Sequence, residues 1–337
     1  MLQIRKTIAL SLLLAATRTP SQQISSLRPF HPGLSMPGTI RCWGSPQMTP
    51  LLSLWEEDFR RFHPEITFAN NLKSTVSAIA GVYTGVADVG VLGRTIWPTE
   101  TMAYQTVTGL SPIGIEVATG SFDEPKATFA LGVFVHRTNP LTRLTTSQLE
   151  AILREDIPDP IRKWSQLGLA EPLGSHSITP YIFDRENDKI IFLENAILHG
   201  SHHLNRAVRE FENSMSSNRG SIDAGEAIFS ALGHDPDGIA ISNTHYANSD
   251  VKLIALATTS EGPYILPTRV TVQDHTYPLT RTVAIYPART PDGRISPLAA
   301  EFLRYILSRE GQAEVTAEAE YLPLSPALAQ VNLDRLK

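Results

Sequence analysis

The sequence reads as an α/β fold, and three observations lead there. Between residues 39 and 92, short apolar runs alternate with helical patterns in the order β-α-β-α-β with short connections, the signature of a parallel sheet covered by helices. The alternation continues to residue 308, with no internal repeat and no low-complexity block. The 337 residues are 42% hydrophobic and 19% charged, enough apolar side chain for two domains or two lobes.

Thr39 to Trp43 reads as the first strand and ends at Gly44-Ser45. Pro50 suits the first position of a helix that Thr49 caps, and Leu51, Leu52, Trp55, Phe59 and Phe62 recur at helical spacing until His63-Pro64. Ile66 to Ala69 is a strand, Val76 to Tyr83 a helix started by Ser74 or Thr75, and Ala87 to Leu92 a strand. Then come a long strand, Ala127 to His136, and a helix, Thr146 to Leu153. Ile178 to Phe183, Gly238 to Ser242 and Lys252 to Ala257 read as strands, Asp188 to Leu198 and Gly225 to Leu232 as helices. Tyr277 to Tyr286 is a strand broken at its start by Pro278, and Leu298 to Ser308 is a late helix.

The amino terminus, MLQIRKTIALSLLLAA, carries Arg5 and Lys6 ahead of an apolar run from Ile8 to Ala16, interrupted only by Ser11. Such a run spans about 14 Å of helix, short of a bilayer core of about 30 Å. Residues 1–20 therefore read as a secretory signal peptide, residues 21–37 as a disordered leader, and the protein as periplasmic or secreted. A single cysteine, Cys42, excludes an intramolecular disulfide and a multi-cysteine zinc site and reads as a small buried strand residue. A formal net charge of −5 argues against a nucleic-acid surface covering the whole protein, so no nucleic acid is expected as partner.

Ligands of open α/β sheets sit beyond the carboxyl ends of the strands. The first turn there carries Ser45, Gln47 and Met48, the second Ser74 and Thr75, and the third strand carries Asp88 and leads to Arg94. Hydroxyls and amides at helix starts make an anion site, and Arg94 adds a charged fork. The same residue types also serve as plain caps. No G-x-S-x-G, G-x-G-x-x-G or P-loop occurs, so neither catalytic residues nor a cofactor are expected. His199, His202 and His203 read as an exposed polar loop rather than a metal site, and Arg281 as a structural ion pair or a hinge bridge.

These pieces, in order, resemble the periplasmic phosphate-binding proteins of ABC importers. The matching stretches are Gly44-Ser45, WEEDFRRFHP (55–64), Ser74-Thr75, GVADVGVLGR (85–94), IRKWSQL (161–167), PDGIAI (236–241), YPLTR (277–281) and FLRYILSREGQ (302–312). The resemblance implies a two-lobed type II binding-protein fold, each lobe a mostly parallel sheet, joined by two crossover strands. It places lobe 1 at residues 38–130 and 280–337 and lobe 2 at 131–279. It implies a monomer that captures inorganic phosphate or a similar oxyanion and delivers it to an importer permease, without covalent chemistry. The alternative is a non-transport anion-binding, sensory or scavenging protein on the same scaffold. Asp88 then takes the position of a carboxylate that accepts the ligand's own proton and rejects fully ionised sulfate; the other reading is a turn residue bonded to its own loop. The family's second-lobe Arg and Ser-Gly-Thr are not present as such. Arg185, Asn187 and Lys189 stand in that region, among Asp184, Glu186 and Asp188, and Pro46 removes one amide from the first turn.

Overall fold

The computed structural model describes residues 24–33, 37–216 and 220–337. The expected signal peptide lies outside the described residues. The strands are β1 (Gly38–Gly44), β2 (Ile66–Asn71), β3 (Val89–Val91), β4 (Ile115–Thr119), β5 (Gly132–His136), β6 (Arg143–Thr145), β7 (Thr179–Phe183), β8 (Arg209–Phe211), β9 (Ser214–Ser216), β10 (Gly220–Ile222), β11 (Gly238–Ser242), β12 (Val251–Leu253), β13 (Ala255–Ala257) and β14 (Thr282–Pro287). The helices are α1 (Thr49–Phe62), α2 (Ser77–Tyr83), α3 (Pro98–Thr108), α4 (Thr146–Leu153), α5 (Asp188–Ala196), α6 (Ala224–Leu232), α7 (Arg269–Gln273), α8 (Pro297–Ile306), α9 (Arg309–Glu318) and α10 (Pro326–Asp334).

Two five-stranded sheets carry the molecule, in the orders β2-β1-β3-β14-β4 and β12-β5-β11-β7-β8. In the first, β1 runs parallel to β2 and β3, while β14 is antiparallel to β3 and β4. In the second, β11 runs parallel to β7 and β7 to β8, while β5 is antiparallel to β11 and β12. Each sheet thus has one reversed strand, β14 or β5, the strand by which the chain enters from the other sheet. The fold is the mixed α/β architecture with mostly parallel sheets that the sequence suggests.

Each sheet has its own apolar core. Trp55 and Phe59 of α1 and Phe302 of α8 pack with Ile40, Val89 and Val283 in one; Phe134, Phe229, Ile182 and Trp164 lie in the other. Cys42 is buried in the first, and burial pushes its thiol pKa well up. The two connections meet at Gly120, whose amide donates to the Arg281 carbonyl (2.8 Å). A Cβ there would stand 2.7 Å from that oxygen and 2.8 Å from the Thr128 carbonyl, so the crossing needs glycine.

Several boundaries move for identifiable reasons. The run Ala127 to His136 becomes strand only from Gly132, since its first part forms the crossing; Ser121 and Phe129 form an isolated bridge there. Lys252 to Ala257 divides at Ile254 between two sheets. Tyr277 to Arg281 is a turn that docks through the Tyr277 hydroxyl on the Leu131 carbonyl (2.8 Å), and β14 starts after it. Helix α3 escapes the sequence reading because only Tyr104 of its residues is buried, so it has no apolar period.

The expectation of a disordered leader over 21–37 is corrected for residues 24–33. Leu27 and Phe30 are buried in the first core. The Phe30 ring meets Phe62 edge-on at 5.2 Å and Tyr305 at 5.4 Å. Its amide donates to Glu310 (2.7 Å), and that of Gly33 to Glu301 (2.7 Å). Phe30 fills the seam between α1 and α8 and Leu27 joins the same core, two apolar side chains three residues apart that polar composition alone conceals. Phe30→Ala should therefore cost about 3–5 kcal/mol of stability, read as a lower urea midpoint with an unchanged slope; a passive leader would leave the midpoint where it is.

Candidate functional site

Strand β1 ends in Gly44 at φ +155°, where a Cβ would fall 2.0 Å from the Val91 carbonyl oxygen. That tight exit lets the Ser45 amide donate to Val91 (2.9 Å), pinning the first turn to the end of β3. The Ser74 amide donates to the Gly44 carbonyl (3.1 Å), which draws in the second turn. The third turn is held from the crossover, where the Thr128 hydroxyl donates to the Gly93 carbonyl (2.7 Å). Three strand-to-helix turns and one connection thereby share the carboxyl edge of the first sheet, the general ligand position of such folds.

This edge forms one wall of a cavity of about 580 Å³ between the sheets. Ser45, Gln47, Thr75 and Arg94 contribute from the first lobe, Lys126 from the crossover, and Asn187, Asp188, Lys189, Asn213, Asp223 and Tyr246 from the opposite side. The amides of Ser77 and Ala78 are spent on the carbonyls of Ser74 and Thr75 (3.1 Å each); the Thr75 hydroxyl is the side-chain donor this turn offers.

The opposite wall is organised by the start of α5. Asn187 caps it, its Oδ1 accepting from the Lys189 amide (3.2 Å), which leaves the Nδ2 donor for other use. The Lys189 ammonium donates to Asn187 Oδ1 and Asp188 Oδ1 (3.1 Å each) and lies 5.1 and 5.2 Å from the ring centres of Phe129 and Phe183. The other Asp188 oxygen accepts from Nη2 of buried Arg281 (2.5 Å). Burial pushes the Asp188 carboxyl pKa up, but the charges of Arg281 and Lys189 and their hydrogen bonds outweigh it and hold it well below the carboxylate range. Two cations thus share one carboxylate, leaving the cluster with a net positive charge. Asp223 caps α6 by accepting from the Gly225 amide (2.7 Å). Burial, and then its hydrogen bond to Asp223, push the Tyr246 phenol well up.

Of the residues singled out in the sequence, Ser45, Gln47, Thr75, Arg94, Asn187 and Lys189 come together on this cavity. Four do not. Met48 is fully buried beneath the first turn. Ser74 contributes its backbone to the turn rather than a side chain to the cavity wall. Asp88 precedes β3 instead of following it: the strand pairs Cys42 with Val89, which sets Asp88 back from the carboxyl edge. There it accepts from the Arg41 amide and Nε (2.9 Å each) and from Nη2 (2.7 Å). Burial opposes its ionisation, and these bonds prevail, lowering its pKa. Asp88 is neither a cavity carboxylate nor bonded to its own loop; it ties β1 to the approach of β3. Arg185 turns outward to pair with Glu210 of β8, through Nε at 3.1 Å.

Arg94 faces the cavity already engaged, donating to Glu100 (2.9 and 2.8 Å) and to the Thr95 carbonyl (2.9 Å), and stacking 3.9 Å from the Trp97 ring centre. The sequence reading omitted Lys126, Asn213, Asp223 and Tyr246, which come from a crossover and loops without a motif. Only Asp223 carried a signal, as a cap ahead of an apolar helical run. In the histidine loop, His202 meets Glu194 of α5 at 3.0 Å, an acid from outside the loop, and no group of three or more metal-ligating side chains occurs among the described residues.

A family model described as the PBP superfamily domain matches residues 31–310. The chain is 23% identical over 346 residues to the phosphate-binding protein PstS of Pseudomonas aeruginosa, covering 99% of each chain. It is 24% identical over 311 residues to protein SphX of Synechococcus elongatus, covering 90% of this chain and 83% of the relative. Among solved structures, PstS from Borrelia burgdorferi shares the fold with a TM-score of 0.57 at 14% identity, covering 85% of this chain and 99% of that one. An ABC-type phosphate transport receptor from Vibrio cholerae does so with a TM-score of 0.53 at 17% identity, covering 84% and 99%.

The Asp188 cluster sets a pH dependence. Its carboxyl pKa is depressed in the folded chain, so its stabilisation is complete above the unfolded value of about 3.9 and is lost as pH falls below it. Urea titrations of the native chain and Asp188→Asn should therefore differ in stability at neutral pH, and the difference should begin to narrow only as pH falls below about 3.9, without closing until the pH passes the depressed folded value. A pH-independent difference would mean that ionised Asp188 does not hold the cluster.

Proposed function

We propose that this chain, which belongs to the PBP superfamily by the match across residues 31–310, is an exported solute-binding protein that captures inorganic phosphate or a closely related oxyanion and delivers it to an ABC importer. The observation that carries the reading is the interlobe cavity in which the Thr75 turn faces Lys189. The name of the Pseudomonas relative supports phosphate as the ligand. The described residues include no helix long and apolar enough to cross a membrane, which fits a chain that leaves the cytoplasm behind a signal peptide of residues 1–20 and works in the periplasm as a monomer.

In this reading residues 38–130 and 280–337 form one lobe and 131–279 the other, and closure brings the two cavity walls onto the ligand. Thr75, the Asn187 amide and Lys189 donate hydrogen bonds to the anion, and no bond is made or broken. Lys189 takes the place of the Arg and Ser-Gly-Thr turn that the resemblance led us to expect. The ammonium rests on two rings beside Asp188, and an incoming anion competes with that carboxylate for it. Asp223, which forms no ion pair among the described residues, is the carboxylate available to accept a ligand proton. It assumes the discriminating part that the sequence assigned to Asp88, because a carboxylate repels a fully ionised sulfate and accepts from a protonated phosphate.

Isothermal titration of ligand-stripped protein should give one phosphate site per chain; absence of phosphate binding would overturn the reading. Lys189→Ala should weaken phosphate by roughly 10- to 100-fold, the range for a charge-assisted hydrogen bond. Asp88→Asn should leave phosphate affinity within about twofold while lowering stability by about 1 kcal/mol, a value for a partly exposed ion pair. Asp223→Asn should narrow the preference for phosphate over sulfate by about tenfold or more; an unchanged preference would remove Asp223 from selection.

A further inference from the structure

A second interlobe cavity, also of about 580 Å³, adjoins the first and shares Arg94, Trp97 and Asp188 with it. Its walls differ in character. Ile96, Trp97 and Met102 come from the approach to α3 and from α3 itself, and Ile191 and Phe192 from α5. Arg281 lines it too, as do the polar side chains of Thr95, Thr101, Gln105 and Asn195. This arginine is only 3% exposed, and its Nη1 has no hydrogen-bond partner among the described residues. A buried guanidinium donor without an acceptor is a standing desolvation cost, which a ligand oxygen relieves.

The charges around it are not balanced. Arg281 and Lys189 share the single carboxylate of Asp188, both of whose oxygens are already engaged, while Arg94 is matched by Glu100. The surplus is one positive charge beside an apolar, partly aromatic chamber, and the volume is that of an ordinary small-molecule site. The Arg281 guanidinium lies 5.5 Å from the Phe192 ring centre, so head and body of an occupant are recognised side by side.

We propose that this cavity binds an amphiphilic monoanion, a compact apolar body bearing one acidic head, with the head on Arg281 and the body against Ile96, Trp97, Met102, Ile191 and Phe192. The site is distinct from the oxyanion cavity and stands whether or not that cavity takes phosphate. Because its walls come from both lobes, the occupant binds the lobes as they are arranged here and favours that arrangement.

The test is a fluorescence titration of the whole chain with 8-anilinonaphthalene-1-sulfonate, an aromatic monoanion that brightens in apolar surroundings. One saturable site is expected, from which sodium octanoate displaces the probe and octan-1-ol at equal concentration does not. Met102→Glu, on an exposed part of α3 (64% exposed) where folding tolerates it, should weaken the probe by about tenfold or more through like-charge repulsion and lost apolar contact. Arg281→Met should do the same, with its folding checked by circular dichroism; should it not fold, Met102→Glu decides. Thr75→Glu, in the first cavity, should change probe affinity by less than about twofold. Loss of probe binding in Thr75→Glu but not in Met102→Glu would put the probe in the first cavity and overturn the proposal. Equal displacement by octanol, or no saturable binding, would overturn it as well.

Discussion

Asp188 gives one oxygen to Arg281 and the other to Lys189, and much of the molecule is arranged around that division. The carboxylate is half-buried, and without partners its charge there would be costly. Its two partners come from different parts of the chain: Lys189 from the first turn of α5, Arg281 from the turn that ends the return connection. The ion set therefore fixes where the chain re-enters the first sheet relative to the helix that presents the cavity lysine. It also keeps both cations near surfaces that face the space between the lobes.

The sheet topology explains why there is such a space to face. The reversed strands, β5 and β14, are those entered from the other sheet, so each connection meets its sheet at the edge where the remaining strands end. Helix starts, tight turns and crossovers then converge, and their unpaired donors and small residues with them. Gly44 and Gly120 sit where backbone passes backbone with no room for a Cβ. They are the local condition for a pocket built of turns.

The first sheet and its turns were legible because apolar periodicity there agrees with the breakers, as over Leu51 to Phe62, although Thr49 falls inside α1 and neither α1 nor α2 has a side-chain cap. Helix α3 was not, since one buried tyrosine makes no period. The site was legible as a location more than as a set of roles. Ser45 and Thr75 follow strands and reach the cavity, but Asp88 depends on register: a shift of a few residues along β3 separates a ligand acceptor from a partner for Arg41, and the motif GVADVGVLGR does not specify which. Lys189 was readable as a charge, whereas its seat over Phe129 and Phe183 joins residues far apart in sequence. Lys126 and Tyr246 had no local signature at all. Leu27 and Phe30 were hidden by their polar neighbours, because two apolar residues weigh little in a composition argument yet count fully once both are buried in one core.

The burial of Leu27 and Phe30 limits how the amino terminus can be handled. A protease that trims the chain leaves the first core whole only if it cuts ahead of Leu27; a cut between Leu27 and Phe30 detaches one of the core residues, and a later one both. The same boundary governs recombinant design. An affinity tag joined upstream of the segment leaves the aromatic seam closed, whereas a truncation starting at Gly38, the first residue of the sheet, opens α1 and α8 to water and exposes an apolar groove suited to self-association.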